Sequence, residues 1–308
     1  MVMTTGNTIF CSNEVLARHT TFRVGGPADF YFRPQETVAS LFIEQALYSA
    51  RQAQLESKPL FVLGGGANIL AADSGFRGVV LDTTDYTGCL LEQHDDKTEL
   101  VVKAGMKSDD IADYAAQRGQ SGVEFLAGLP GTIGGAIWMN ARCYDTSVSD
   151  VLGEVIILDE AGRQTAVPFK AEDYAYKQSP FQKRSVVILE ARLNVHPKER
   201  ALIYKTMKEY RADRKAKGHF TWPSAGSVFK NNRSWGRPTG KIIEELGLRG
   251  RQIGGAQIAP WHGNFIINIG NAAATDIYSL IRLVEEEAAH RLGITLEREI
   301  ILLGFENE

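Results

Sequence analysis

The sequence predicts an α+β fold. Three observations carry this. The chain has 308 residues, enough for about two domains or three small ones. Hydrophobic residues make up 44% and charged residues 23%, a globular balance that excludes disorder. Strand-like and helix-like patterns are interleaved without strict βαβ repetition, which disfavours a pure doubly wound sheet.

The elements follow in order. Phe22–Pro34, FRVGGPADFYFRP, mixes strand residues with a Gly-Gly-Pro turn and is expected as a hairpin-like β segment. Thr37–Gln54 carries Val38, Leu41, Phe42, Ala46 and Leu47 at helical spacing. Leu60–Leu63 is a short apolar strand running into Gly64-Gly65-Gly66. Strands are expected at 78–82 and 100–104, then a helix opened by Ser108, Asp109 and Asp110 and closed before Gly119. A glycine-rich loop from Gly128 leads into an apolar helical stretch. Strands follow at 154–159, 163–168 and 185–195. Pro197 suits the first turn of a helix reaching about Lys217. The last third carries helices near 239–246 and 274–292, with strands near 252–258, 264–269 and 296–303.

No run of about 18 apolar residues exists, so membrane insertion is not expected. The N-terminus lacks the basic start and apolar stretch of a secretory signal. The three cysteines, Cys11, Cys89 and Cys143, are far apart and show no zinc spacing, so no metal site is expected and a reducing, cytoplasmic location fits.

Glycine numbers 30, against roughly 22 at average usage. Nine fall in three stretches: Gly25-Gly26, Gly64-Gly65-Gly66, and Gly128, Gly131, Gly134 and Gly135. Glycines after a strand let the backbone approach a ligand and aim N–H groups at phosphate. The alternative is tight turns or close packing of backbone on backbone. Neither GxGxxG nor GxxxxGK[ST] is present, so neither a Rossmann nor a P-loop site follows.

FRVGGPADFYF, LGGGANIL and GLPGTIGGAIWMNA resemble the FAD-binding half of the UDP-N-acetylenolpyruvoylglucosamine reductase (MurB) family. PSAGSVFKN (223–231), GKIIEELGLRG (240–250), HGNFIIN (262–268) and LEREIILLG (296–304) resemble its substrate domain. The resemblance implies a two-part FAD-binding module of the vanillyl-alcohol-oxidase/PCMH type, at 1–80 and 81–200, and a C-terminal α/β substrate domain at 201–308. It implies non-covalent FAD contacts at Gly64, Gly65, Gly66, Ala67, Asn68 and Ile69, and at Gly128, Pro130, Gly131, Thr132, Gly134 and Gly135.

Residues 200–251 hold thirteen Lys/Arg and four acids, a net +9, so the remainder carries −12 of the total −3. Such a stretch is either a solvated helix face or a polyanion site. No nucleic-acid motif accompanies it, so nucleic acid is not expected as a partner. The resemblance implies a UDP-sugar instead, with Arg214, Lys217, Lys230 and Asn231 as phosphate contacts, and His262 and Asn264 of the HGNF motif near the substrate.

Three residues match the family's reacting groups. Ser227, by residue type a turn serine, matches the serine that donates a proton to the substrate carbon adjacent to the one the hydride attacks. Glu299 matches the catalytic glutamate; Glu297 shares its strand face as a bystander, with Arg298 opposite. Lys177 stands where the family has Arg; it keeps the positive charge and loses the planar fork. Tyr176 is expected beside it. The resemblance implies an enzyme in which NADPH reduces FAD, which then reduces UDP-N-acetylglucosamine enolpyruvate to UDP-N-acetylmuramate, a peptidoglycan precursor. No tyrosine-bearing insertion lies between Lys177 and Ser227, which favours the shorter type of the family, and a monomer is expected. The alternatives are another FAD oxidoreductase of the same fold and a non-catalytic nucleotide-diphosphate binder.

Overall fold

The computed structural model describes residues 2–5, 8–35 and 37–305. The chain folds as two compact units, each assembled from three stretches. Unit 1 comprises Met1–Ser12, Phe30–Gly65 and Gly78–Asp213; unit 2 comprises Asn13–Asp29, Gly66–Arg77 and Arg214–Glu308. Each unit therefore joins pieces distant in sequence, residues 13–29 and 66–77 grouping with 214–308.

In unit 1, α1 (Ala39–Leu55) turns Phe42, Ala46 and Ala53 inward. They pack with Phe32, Val79, Leu81 and Tyr86, and the Phe42 and Tyr86 rings stack at 4.1 Å. Phe32, Val79 and Leu81 come from a five-stranded sheet in the order 2–5, 8–15, 27–34, 76–82, 60–63. A second, antiparallel sheet runs in the order 164–168, 152–158, 187–197, 98–103, 89–93. Side chains on Val187–Pro197 alternate in and out, so Ala191, Leu193 and Val195 are buried while Asn194 is exposed. Three helices cover that face: α2 (Ser108–Gln117), α3 (Ile133–Met139) and α4 (Arg200–Ala216). Ile111, Ala115, Ile133, Ile137, Ile203 and Met207 join its core.

Unit 2 holds a three-stranded antiparallel sheet, 252–253, 256–258 and 266–268, and a parallel pair, Ile69–Ala71 with Ile301–Leu303. α5 (Thr239–Glu245) and α6 (Ala274–Leu292) complete it. α6 buries Ile277, Leu280, Ile281, Val284 and Ala288, one stripe at helical spacing. Its first N–H groups have no intrahelical partner. Asp73 supplies one, its carboxylate accepting from Ala274 at 2.7 Å and Thr275 at 2.9 Å.

Several elements differ from the sequence expectation. Phe22–Pro34 is not a hairpin: only Pro27–Pro34 is a strand. Gly26 donates instead to Ala72 O at 2.8 Å, and a Cβ there would lie 2.1 Å from Asp73 O, so this glycine pair serves close packing. Pro197 ends a strand, and α4 starts three residues later. The expected strand 296–303 is regular only over Ile301–Leu303. Among the described residues no helix is long and apolar enough to cross a membrane.

Candidate active site

The first component lies in unit 1, where two glycine loops meet. A Cβ on Gly64 would come within 2.4 Å of Thr132 Oγ1, and one on Gly65 within 2.6 Å of Gly131 Cα. Thr132 is 4% exposed, and its buried Oγ1 has no hydrogen-bond partner among the described residues. A buried hydroxyl left unpaired costs about 1–3 kcal/mol, so a ligand oxygen here would be favoured. Gly135, exposed in the first turn of α3, has open space where a side chain would begin, its nearest neighbour being Thr132 Oγ1 at 3.8 Å. These features fit a closely approaching diphosphate, as the sequence suggested for FAD.

Other expected cofactor residues have scaffold duties. Gly128 N–H donates to Asp109 Oδ1 at 2.7 Å, a carboxylate that Arg211 also grips at 2.6 Å and 2.9 Å. Gly134 donates to Ala104 O at 2.9 Å, and a Cβ there would press on Ala104 Cβ at 2.9 Å. Pro130 is exposed at the loop tip between Gly128 and Gly131.

α3 starts at this cradle and ends at the second component, about 10 Å along. Its C-cap, Asn140, is left-handed at φ 45°. The Asn140 amide donates to Ala175 O at 2.9 Å, fixing a tight turn in which Ala175 and Gln178 pair. Lys177 sits in that turn at φ 58°. A left-handed conformation costs a non-glycine residue about 1–2 kcal/mol. The turn is held from behind by Ser179 Oγ donating to Trp138 O at 2.7 Å and by Gln182 donating to Lys177 O at 3.1 Å. Tyr176 is 41% exposed, with Lys177 Nζ 6.0 Å from its ring centre.

Unit 2 carries the third component. Gly66, at φ 59°, accepts from Thr21 N–H at 3.1 Å, and a Cβ there would strike His19 O at 1.9 Å. Ala67 is half-buried. Ile69 is buried in the parallel ladder opposite Ile301. Asn68 Nδ2 donates to Glu299 O at 2.9 Å, and Asn68 O accepts from Ile301 N–H at 2.9 Å. Gly226, at φ 72°, makes the turn that presents Ser227, which bridges Phe265 across an antiparallel pair. Val228 O accepts from Glu299 N–H at 2.7 Å. Ser227 and Glu299 are thus fastened to one backbone junction.

The expected substrate contacts divide. Asn264 is 2% exposed, and its amide both accepts from Phe229 N–H at 2.9 Å and donates to Phe229 O at 2.8 Å, so it braces the Ser227 segment instead. Asn231 Oδ1 accepts from Thr239 N–H at 2.9 Å, at the start of α5. His262 Nδ1 accepts from Asn264 N–H at 3.1 Å, which leaves the ring proton on Nε2. Burial holds the His262 pKa below its ordinary value, despite the opposing pull of Glu244. Arg214 is buried and Lys217 exposed near the end of α4. Lys230 Nζ bonds the Glu297 carboxylate, and Lys230 N–H donates to Glu297 O at 2.8 Å. Arg298 forks onto Glu285 of α6 at 2.5 Å and 2.8 Å.

Sequence reasoning did not single out Asp109 as a site residue, nor Asn140, Asp73 or Glu285. Asn140 had a usable signal, since asparagine after a short helix is a common left-handed cap. Asp109, Asp73 and Glu285 reach Gly128, Ala274 and Arg298, partners 13 or more residues away that local pattern does not reveal.

The cradle and fold define a class, that of FAD-binding oxidoreductases. Residues 43–167 match the FAD binding domain family. Residues 218–303 match the C-terminal domain of UDP-N-acetylenolpyruvoylglucosamine reductase. The chain is 39% identical over 295 residues to the UDP-N-acetylenolpyruvoylglucosamine reductase of Borrelia garinii subsp. bavariensis, covering 95% of this chain and 93% of the relative. It is 38% identical to that of Treponema denticola, covering 92% and 90%. The crystal structure of the reductase (MurB) from Thermus caldophilus superposes with a TM-score of 0.77 at 30% identity, covering 95% of this chain and 98% of that one. The chain belongs to the UDP-N-acetylenolpyruvoylglucosamine reductase family.

Proposed function

We propose that this protein reduces UDP-N-acetylglucosamine enolpyruvate to UDP-N-acetylmuramate with NADPH, acting as a monomer in the cytoplasm. The observation that carries the reading is the Val228 junction, which fastens Ser227 and Glu299 to one backbone pair within unit 2. FAD, when bound, supplies the redox chemistry between NADPH and the substrate. Thr132, with Gly64, Gly65, Gly131 and Gly135, would hold its diphosphate in unit 1.

Ser227 O–H gives a proton to the substrate carbon. A seryl hydroxyl is a weak acid, so its rate depends on being held in place. The Phe265 bridge and the paired Asn264–Phe229 bonds hold that backbone. Glu299 steadies the enol form of the substrate carboxylate through hydrogen bonding. Lys177 places its positive charge for the same carboxylate, and Tyr176 stands beside it. Arg214, Lys217 and Lys230 neutralise the UDP diphosphate.

Anaerobic absorption spectroscopy tests this. NADPH should bleach the flavin, and the enolpyruvyl sugar should restore its colour. A bleached flavin that the sugar does not reoxidise would sink the proposal. Ser227→Ala should bleach normally and recolour about 10²–10⁴-fold more slowly. Equal slowing of both half-reactions would remove Ser227 from its role.

A further inference from the structure

The segment 297–299 makes three separate engagements. Glu299 is tied to Asn68 and Val228, Arg298 to Glu285, and Glu297 to Lys230. The third differs in kind. The Glu297 side chain is 68% exposed, whereas the Lys230 side chain is 16% exposed. The lysine side chain lies mostly buried, and an exposed carboxylate from the surface rests on its head.

The backbone explains why the pair is always at hand. Lys230 N–H donates to Glu297 O at 2.8 Å, and Thr239 Oγ1 donates to Lys230 O at 2.7 Å. Both main-chain groups of Lys230 are therefore anchored. Only the Glu297 side chain is free to leave without disturbing a buried contact. An ion pair with one exposed partner is weakly held and opens at little cost.

We infer that Glu297 is an anion placeholder on Lys230: its carboxylate occupies the position that an acidic group of the UDP-sugar takes, and leaves when that ligand binds. This rests on the proposed function, which makes Lys230 a diphosphate contact. Glu297 then sets affinity and not chemistry. It keeps the lysine head aimed and charge-matched in the free enzyme, and it competes with the ligand for it. Arg298 does not share this role, because its two-pronged bond to Glu285 faces α6.

The test is calorimetric binding of UDP to the FAD-loaded protein, for the unaltered chain, Glu297→Gln, Lys230→Met and the double variant. Glu297→Gln should tighten UDP binding by about two- to five-fold, the range expected for removing an exposed competing pair. Lys230→Met should weaken it, and in that background Glu297→Gln should change nothing. Retained flavin absorbance certifies folding of each variant, and Glu297→Asp replaces Glu297→Gln if the latter loses flavin, with intermediate binding expected. Unchanged or weaker binding by Glu297→Gln, with Lys230→Met still weakening it, overturns the placeholder alone. Failure of UDP to bind any form overturns the functional reading and the placeholder with it.

Discussion

The side-chain amide of Asn68 donates to the carbonyl of Glu299 at 2.9 Å, across 231 residues of sequence. Ile301 N–H returns the contact to Asn68 O at 2.9 Å. Residues of the GGGAN stretch thereby set the position of the glutamate near the other end of the chain. Asn68→Ala should cost about 1 kcal/mol, the usual net value of such a bond. It should also slow sugar-dependent flavin reoxidation more than NADPH-dependent reduction. Stopped-flow comparison of the two half-reactions checks this, and equal slowing would contradict the link to Glu299.

The two neighbouring glycines of α3 should behave oppositely. Gly134→Ala drives a Cβ against Ala104 at 2.9 Å, so thermal stability should fall. Gly135→Ala meets open space, and alanine in a helix is favoured over glycine by about 1 kcal/mol. The flavin-free Gly135→Ala protein should therefore be at least as stable as the parent while binding FAD more weakly. Fluorescence titration with FAD decides this; undiminished affinity would place the diphosphate elsewhere.

Lys177 holds a left-handed conformation at φ 58°, and Lys177→Gly should relieve about 1 kcal/mol of backbone strain. The variant should melt higher and yet turn over far less substrate. Lys177→Arg should keep much of the activity. Full activity in Lys177→Gly would remove the side chain from catalysis.

His262 gives a pH dependence of stability. Burial lowers its folded pKa below the 6.5 of an unperturbed histidine. As pH falls below about 6.5 the unfolded chain takes up a proton that the folded chain resists, so stability drops until the folded pKa is passed. Above that range His262 contributes no slope. Melting temperatures between pH 7.5 and 5 should fall less steeply for His262→Gln than for the parent. Parallel curves would show that His262 does not carry the effect.

Much of the fold was legible in sequence because it was written in local periodicity. The helix 108–117 and the helix 274–292 occupy the residues their patterns indicate, since acids in the first turn and an apolar stripe are local properties. The +9 stretch and the clustered glycines pointed to an anionic ligand, and Gly65, Gly131 and Thr132 lie together. The roles of single glycines were not legible. Gly64 and Gly66 stand two positions apart, yet one faces the Thr132 hydroxyl and the other lies against His19 O.

By itself the sequence determined the α+β class, the family and the candidate reacting residues Ser227, Glu299 and Lys177. Only the tertiary structure decided how the chain divides, with residues 13–29 and 66–77 packing in the unit of 214–308. It also decided that Asn264 braces backbone and that Glu297 covers Lys230. The reason is physical. Helical and strand patterns depend on neighbours a few residues away, whereas these contacts join groups 35 to 67 residues apart, whose meeting depends on the packed core.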